Sequence, residues 1–478
     1  MNAVTQVAPA QVAPTQAVAE DPAHALAVFT AGLTLEKIPA DVQARAAHHI
    51  LDAIGIACAS SRFDFAHRAL TALRGLGGDG AVPLLGLPGR LPPRDAAILN
   101  GLLCHGLDFD DTHLGGVIHP TAAILPAVFA AAVHVGASGA EMLVAYVAGV
   151  EASTRVAAVA GGAFHAAGFH PTGVVNAFAA ALAAGRVLGL TERELVHAQG
   201  IALATASGSL EFLEDGAWTK RLHPGWAAQA GITAASLARQ GFTGAARPYS
   251  GRYGLYNAYL GHRAAGLDLA RATAGLGTVW ELANTSIKPF PACHFTHACV
   301  DAALHLRAGA AAEDIVSIEA LVPHQVIPVV CEPVASKQRP ANAYDAQFSV
   351  PFLVAAAWVR GRLTLAELEP DALGDPAILA LASRIGHTAD PDSPFPRTYS
   401  GELAVHLRDG RTLRHREEVN RGAPDRPLLN ADIIAKYRAN AALALSPGAA
   451  ARIESAVLSL AHHPASALAD AISPRTAP

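Results

Sequence analysis

The sequence predicts a mainly α-helical protein: a large all-helical domain, with a smaller α+β lid domain inserted before the C-terminal helices. Three observations point there. Of 478 residues, 51% are hydrophobic and only 6% aromatic, with alanine dominant, which suits closely packed helices better than a β-sandwich. Ser-x-x-Glu and Thr-x-x-Glu capping boxes open long apolar runs in the first half of the chain. After about residue 285 the pattern changes, and β-branched runs and an Asp-Gly turn appear.

Residues 1–20 are rich in Val, Ala, Pro, Thr and Gln, without a basic start or an unbroken apolar core. They read as a floppy tail and not as a signal peptide. Asp21-Pro22 marks a helix start. A second helix begins near Pro39-Ala40-Asp41, where Val42, Ala46, Ile50, Ala53, Ile54 and Ala57 share one face. A Gly/Pro-rich connection spans 75–89, and a helix resumes from Asp95 to Leu107. Ser138 to Glu141 and Thr191 to Glu194 are the two capping boxes. The segment 161–173 between them reads as a loop holding His165 and His170.

In the second half, 315–322 reads as a strand, and 402–408 with 411–416 as a hairpin across Asp409-Gly410. Helices are expected at about 294–308, 349–359 and 365–385, and again from Asn430 onward. The expected division is a tail at 1–20, an all-helical domain at 21–285 and 427–475, and the lid domain at 286–426. A cleft between two such domains is a favoured place for a ligand.

Composition excludes several classes. A formal charge of −5 gives no basic face for nucleic acid. Five scattered cysteines without a CxxC pair argue against a disulfide frame or zinc site, and fit a reducing cytoplasm. The best candidate membrane span, 174–190, carries Asn176 and Arg186, so a buried core helix is the better reading. The Gly-rich run at 75–80 follows no clear strand, and His48-His49 and His462-His463 lack the i, i+4 spacing of two zinc ligands on one helix face.

The stretch from Cys104 to His113, closing at His119-Pro120, is different. It sets three carboxylates, three histidines and a threonine between long apolar runs. Polar groups in such surroundings must be paired or perform chemistry. Proton transfer at carbon next to a carboxylate needs an acid and a base titrating near neutrality, and fixed positive charge for the carboxylates. His119 and His170 can supply the first; Lys220 and Lys288 can supply the second. Asp108 would hold a histidine or a lysine, and Thr112 would donate to substrate. Asp110 and Asp111 read more simply as loop carboxylates on backbone N–H groups. His105, His113, His165 and His297 read as satisfied core groups or as supports behind the site, and Lys337 and Arg339 as a solvated loop. His223 stands evenly between the two readings, and a lone Cys293 in an apolar segment is usually core.

Four further stretches join this one: His170-Pro-Thr-Gly173, Thr219-Lys220-Arg221-Leu222-His223-Pro224-Gly225, Lys288-Pro-Phe-Pro-Ala-Cys293 with His294, and Gln347-Phe-Ser349. Together with Asp108-Phe-Asp-Asp-Thr112 and His119-Pro120 they occur in the order found in the MmgE/PrpD family, which the chain resembles over about residues 20–475. That family includes 2-methylcitrate dehydratases, cis-aconitate decarboxylases and iminodisuccinate epimerases. The resemblance implies an all-helical domain with an α+β lid, a homodimer, and a pocket between the domains with no metal or organic cofactor. Carried over, the catalytic set is His119, His170, Lys220 and Asp108; substrate would also touch Thr112, His223, Lys288, Cys293 and His294. The Cys331 region would sit where the decarboxylases present a tyrosine. Two departures stand out. The histidine that the decarboxylases place at position 293 falls one residue later here, at His294. The spacer between Thr112 and His119 lacks the tryptophan and acidic residue associated with methylcitrate dehydratases. The implied activity is a cofactor-free lyase, dehydratase or decarboxylase, for a small di- or tricarboxylate. Alternatives are an epimerase of a small dicarboxylate, or a non-catalytic carboxylate-binding protein of the same fold.

Overall fold

The computed structural model describes residues 21–473; the segment read above as a tail, 1–20, lies outside the described residues, as do 474–478. Six helices of the first half position the site: α1 (Ala40–Ser60), α2 (Pro93–His105), α3 (Thr121–Val135), α4 (Gly139–Ala160), α5 (Pro171–Val187) and α6 (Thr219–Arg239). Both expected capping boxes form, at Ser138/Glu141 and Thr191/Glu194. Asp21 also acts as expected, accepting from the Ala23 N–H at 3.0 Å. α6 packs along α5 and across α2, while α5 also touches α3 and α4.

Small residues set these crossings. A Cβ on Gly225 of α6 would lie 2.0 Å from the Ile98 carbonyl oxygen, and one on Gly101 of α2 would lie 2.5 Å from the Gly225 Cα. The two backbones touch there, which only glycine permits. Four residues on from Gly101 is His105; five before Gly225 is Lys220. The crossing therefore fixes where the end of α2 faces the start of α6.

One continuous core joins residues 23–282 to Tyr437, Ile453, Leu460 and Leu468 near the C-terminus. A separate core runs from Phe290 to Leu407. In the smaller unit, α7 (His297–Leu306) and α8 (Val350–Arg360) pack on a sheet of β1 (Ile315–Val322), β2 (Ile385–Ala389), β3 (Gly401–Leu407) and β4 (Thr412–Glu417). The strand order is β2-β1-β3-β4, with β1 and β2 parallel and the other pairs antiparallel. The chain then returns to the helical core in α9 (Asn430–Ala441), which lies on α1 with Tyr437 against Gly55.

Three expectations are corrected. The helix expected at 365–385 is instead short pieces, including Pro370–Leu373 and Pro376–Ala382, followed by strand β2. Pro370, Gly374 and Pro376 interrupt helical hydrogen bonding, and β2 forms only because β1 offers it a parallel edge. The loop expected at 161–173 contains a short helix, Ala163–Ala166, and ends where Pro171 opens α5, leaving His170 as its N-cap residue. Lys337 is not a solvated loop residue: it lies on the short helix Val334–Gln338 and donates to the Val329 and Phe348 carbonyls at 2.7 and 2.8 Å.

Most of the 174–190 run, 174–187, falls in α5, and 174–185 is core, as expected. Among the described residues one helix, α4, is long and apolar enough to cross a membrane, and 94% of its most apolar window is buried inside the protein. It also carries the buried Glu151–Arg155 ion pair. All five cysteines are unpaired and buried.

Candidate active site

The loop from 106 to 120 leaves α2 and enters α3 through the middle of the molecule. Asp108 sits at φ +51°, in the left-handed region that a non-glycine residue seldom adopts. Three clamps hold the loop. Thr112–His113 pairs antiparallel with Thr285–Ser286, which delivers Lys288 beneath the loop. Lys288 Nζ donates to the Asp108 carbonyl at 2.8 Å and to its Oδ1 at 3.0 Å. From the smaller unit, the Gln347 side chain donates to the Leu107 carbonyl at 2.6 Å and to the Pro291 carbonyl at 3.0 Å.

Lys220, one residue into α6, reaches the same Asp108 Oδ1 at 3.0 Å. Burial alone would raise the Asp108 carboxyl, but Lys220 and Lys288 outweigh it and hold the group well below the usual carboxylate range. Two ammonium groups thus share one carboxylate, so the Lys220–Lys288–Asp108 triad taken by itself carries a net positive charge.

Beside this charge cluster stand four imidazoles from four elements. Ring centroids lie 4.8 Å apart for His105 and His119, 5.8 Å for His105 and His170, 6.1 Å for His119 and His170, and 5.2 Å for His170 and His223. Each ring is oriented through Nδ1. His105 Nδ1 donates to Asp110 Oδ2 at 2.8 Å. His119 Nδ1 donates to the Asp111 carbonyl at 2.8 Å, with Thr112 Oγ1 3.3 Å away. His170 Nδ1 meets His223 Nδ1 at 3.0 Å. The first two bonds place the proton on Nδ1 and leave Nε2 of His105 and His119 as bare acceptors. Burial lowers His119 to about 4, His165 to about 4 and His223 to about 4, and drives His170 well below its ordinary value. His119, His165, His170 and His223 are therefore neutral at pH 7. Nitrogens of His105, His119 and His170 lie within 4.8 Å of one another, a spacing that a metal ion could bridge.

The structure thus brings Asp108, Thr112, His119, His170, Lys220, His223 and Lys288 together. It alters the expectation for several. Lys288 is only 2% exposed and spends two of its three N–H groups on Asp108, so it supports the site from beneath and leaves one donor at most for a ligand. Cys293 is buried, and burial pushes its thiol up to about 11, which leaves no thiolate at pH 7. His294 faces Asn420 Nδ2 at 2.5 Å and lies beside His297 and Tyr399. Asp110 is bound by the His105 imidazole and not by backbone N–H groups, because the α2 terminus points its last side chain at it. Asp111 does accept from the Thr121 N–H at 3.2 Å, and also holds His49 Nδ1 at 2.7 Å. His105 is not a satisfied core histidine: its Nε2 is buried without a partner.

Gln347 was legible only as part of a motif, and Asn420, Tyr344 and Tyr399 gave no sequence signal. Two cavities flank the cluster. One, of about 660 Å³, lies between the two units and is lined by Leu107, Arg221, Tyr344 and Gln347 among others. Another, of about 560 Å³, reaches His223 past Ser209, Phe212 and Trp226.

Comparison with known proteins bears on this arrangement. Residues 24–268 match the MmgE/PrpD N-terminal domain, and residues 290–462 match the MmgE/PrpD C-terminal domain. A cis-aconitate decarboxylase-like protein, oryM, of Aspergillus oryzae is 30% identical over 443 residues, covering 88% of this chain and 91% of the relative. The cis-aconitate decarboxylase of Aspergillus terreus is 27% identical over 453 residues, 90% of this chain and 91% of the relative. The human cis-aconitate decarboxylase is 30% identical over 368 residues, 75% of this chain and 74% of the relative. Matches that run through both units, on a chain whose two cores enclose the paired lysines and the imidazoles, establish that this protein belongs to the MmgE/PrpD family.

Proposed function

We propose that the chain is a lyase that decarboxylates a small tricarboxylate of the cis-aconitate type, using the His119/His170 pair and Lys220. The observation that carries this reading is the sharing of Asp108 Oδ1 by Lys220 and Lys288 at 3.0 Å each, beside neutral imidazoles. The surplus positive charge holds substrate carboxylates at Lys220, the more exposed ammonium of the two. A substrate carboxylate beside His119 restores its basicity and lets the ring carry a proton. As CO2 leaves, the breaking C–C bond deposits its electron pair on the neighbouring carbon, where conjugation with a second carboxylate spreads it. The imidazolium returns one proton to carbon. Three carboxylates plus one proton give two carboxylates plus CO2, so the reaction consumes one proton net. Acid–base help of this kind is worth ~10²–10⁴-fold.

The relatives' decarboxylase names and this geometry support the reading together. Thr112, His223 and His294 form the walls around the substrate, with Lys288 and Cys293 behind them. The unit at 286–426 serves as the lid over the helical body at 21–285 and 427–475. The working form is a cytoplasmic homodimer.

The test is incubation of purified protein with cis-aconitate in D2O, followed by NMR. Release of CO2 with one solvent deuterium on carbon of the product is expected. Deuterium entering an otherwise unchanged substrate would replace this reading with the epimerase. Unchanged spectra for cis-aconitate and its close tricarboxylate analogues would sink the decarboxylase.

A further inference from the structure

His105, His119 and His170 present an unusual electrostatic problem. Their nitrogens lie within 4.8 Å of one another, all three residues are buried, and each Nδ1 is already engaged. The Nε2 atoms of His105 and His119 are therefore lone pairs without donors, and that of His105 has no partner at all. Acceptors buried this close together are stabilised by a proton or a cation held among them.

We propose that these three imidazoles form a binding site for a first-row divalent transition ion such as Zn²⁺, which occupies the place of the catalytic proton and inhibits the enzyme. Imidazole nitrogens about 2.0–2.1 Å from zinc complete a tetrahedral set with one position left open. Closing the present spacing onto one ion takes shifts of under about 1 Å per ring, within reach of small χ adjustments. The supports behind the ligands match those of metal-bound histidines: a carboxylate, Asp110, behind His105; a backbone carbonyl, that of Asp111, behind His119; and the His223 ring behind His170. The ion would take up His119 and His170, the two rings assigned above to the substrate's proton, so ion and substrate compete. That competition rests on the decarboxylase reading; the binding does not.

The test uses chelator-treated full-length protein and Co²⁺ as a spectroscopic probe, with Zn²⁺ displacement read by calorimetry. One ion per chain and the intense visible bands of tetrahedral Co²⁺ are expected. Asp110→Asn, which only weakens the support of His105, is expected to reduce affinity by ~10–100-fold, and His105→Ala by more. His223→Ala is expected to keep the tetrahedral spectrum. Thermal unfolding of each variant confirms that it folds. A Co²⁺ spectrum that stays octahedral overturns the proposal. So does binding that survives in folded His105→Ala and His170→Ala, or that vanishes when the surface pair His462 and His463 is replaced by alanine. With turnover in hand, Zn²⁺ held by a metal buffer raises KM with kcat unchanged; a protein that binds Zn²⁺ yet turns over no tricarboxylate leaves this site standing and removes only the decarboxylase reading.

Discussion

Lys288 grips Asp108 twice, through the backbone carbonyl at 2.8 Å and through the carboxylate at 3.0 Å, where the Asp108 backbone is left-handed. Lys220 touches only the carboxylate. The two lysines should therefore separate in mutation. Lys288→Ala strips a buried carbonyl of its donor and a buried carboxylate of half its charge partners. A loss of about 3–5 kcal/mol is expected for breaking such a buried pair. Lys220→Ala leaves Asp108 paired with Lys288, so stability should fall less while turnover is lost. Chemical denaturation beside steady-state kinetics makes the comparison; equal destabilisation by the two changes would refute the division of labour.

Stability should rise with pH between about 4 and the ordinary imidazole range. Burial lowers His119, His165 and His223 to about 4 and His297 to about 3, so all four stay neutral in the fold but take up protons when unfolded. The unfolded chain then binds more protons, and each group contributes stability that is complete above pH ~6.5 and fades as pH falls toward its folded value, at up to about 1.4 kcal/mol per pH unit. Asp52, raised by burial to about 6, works the other way: its protonated form favours the fold, and that benefit is lost as pH climbs from the ordinary carboxylate value through 6. Glu151 and Asp301 are raised as well, and His49, His170 and His294 are lowered as well, so seven imidazoles against three such carboxylates give a net gain with pH. A Tm that stays level or falls from pH 5 to 7 contradicts the assignment of these rings as buried and neutral.

Much of the site could be read from the chain because it is built from short motifs. Asp108, Thr112, His119, His170 and Lys220 each sit in a recognisable stretch, and they converge. The sequence placed His105 among core or supporting groups and not among the catalytic candidates; what distinguishes it is its orphaned Nε2, visible only once His119 and His170 are in place. No metal-ligand spacing was visible for the same reason, since the three histidines come from α2, from the residue two before α3 and from the N-cap of α5. Asn420 and Gln347 reach the site from 126 residues beyond His294 and 240 beyond Leu107. Strand β2 escaped notice because its pairing with β1, and not its own composition, makes it a strand.

The pH profile of turnover should report which form of the imidazole pair is scarce. In the free enzyme burial holds His119 near 4 and His170 well below the ordinary imidazole value. A reaction that consumes a proton through either ring then uses a minor species at neutral pH. Above about pH 5.5, kcat/KM should decline with rising pH, approaching tenfold per unit. His119→Gln, if it retains measurable activity, should flatten that slope and not merely scale it. A wild-type profile that is flat or rising between pH 5.5 and 8 would show that no proton from these rings limits the reaction.

The crossing of α2 and α6 offers a test of how the fold sets the site without touching it. Gly101 and Gly225 face each other with no room for a side chain, and a Cβ at Gly225 would lie 2.0 Å from the Ile98 carbonyl oxygen. Backbone cannot yield as a flexible side chain does, so Gly225→Ala must push the helices apart. Overpacking of this kind costs about 1–3 kcal/mol. The displaced helix also carries Lys220 and His223, while α2 carries His105. Lys220 would draw back from Asp108, and His223 from His170. Gly225→Ala should therefore lower kcat well beyond what its stability loss explains at a temperature where the variant is fully folded. Alanine at Gly136, which has no atom within 4 Å of its would-be Cβ but a φ of +71°, is the control: strained, yet remote from the loop. If Gly225→Ala loses stability but keeps wild-type kcat, the glycine contact serves packing alone and does not hold the catalytic lysine in place.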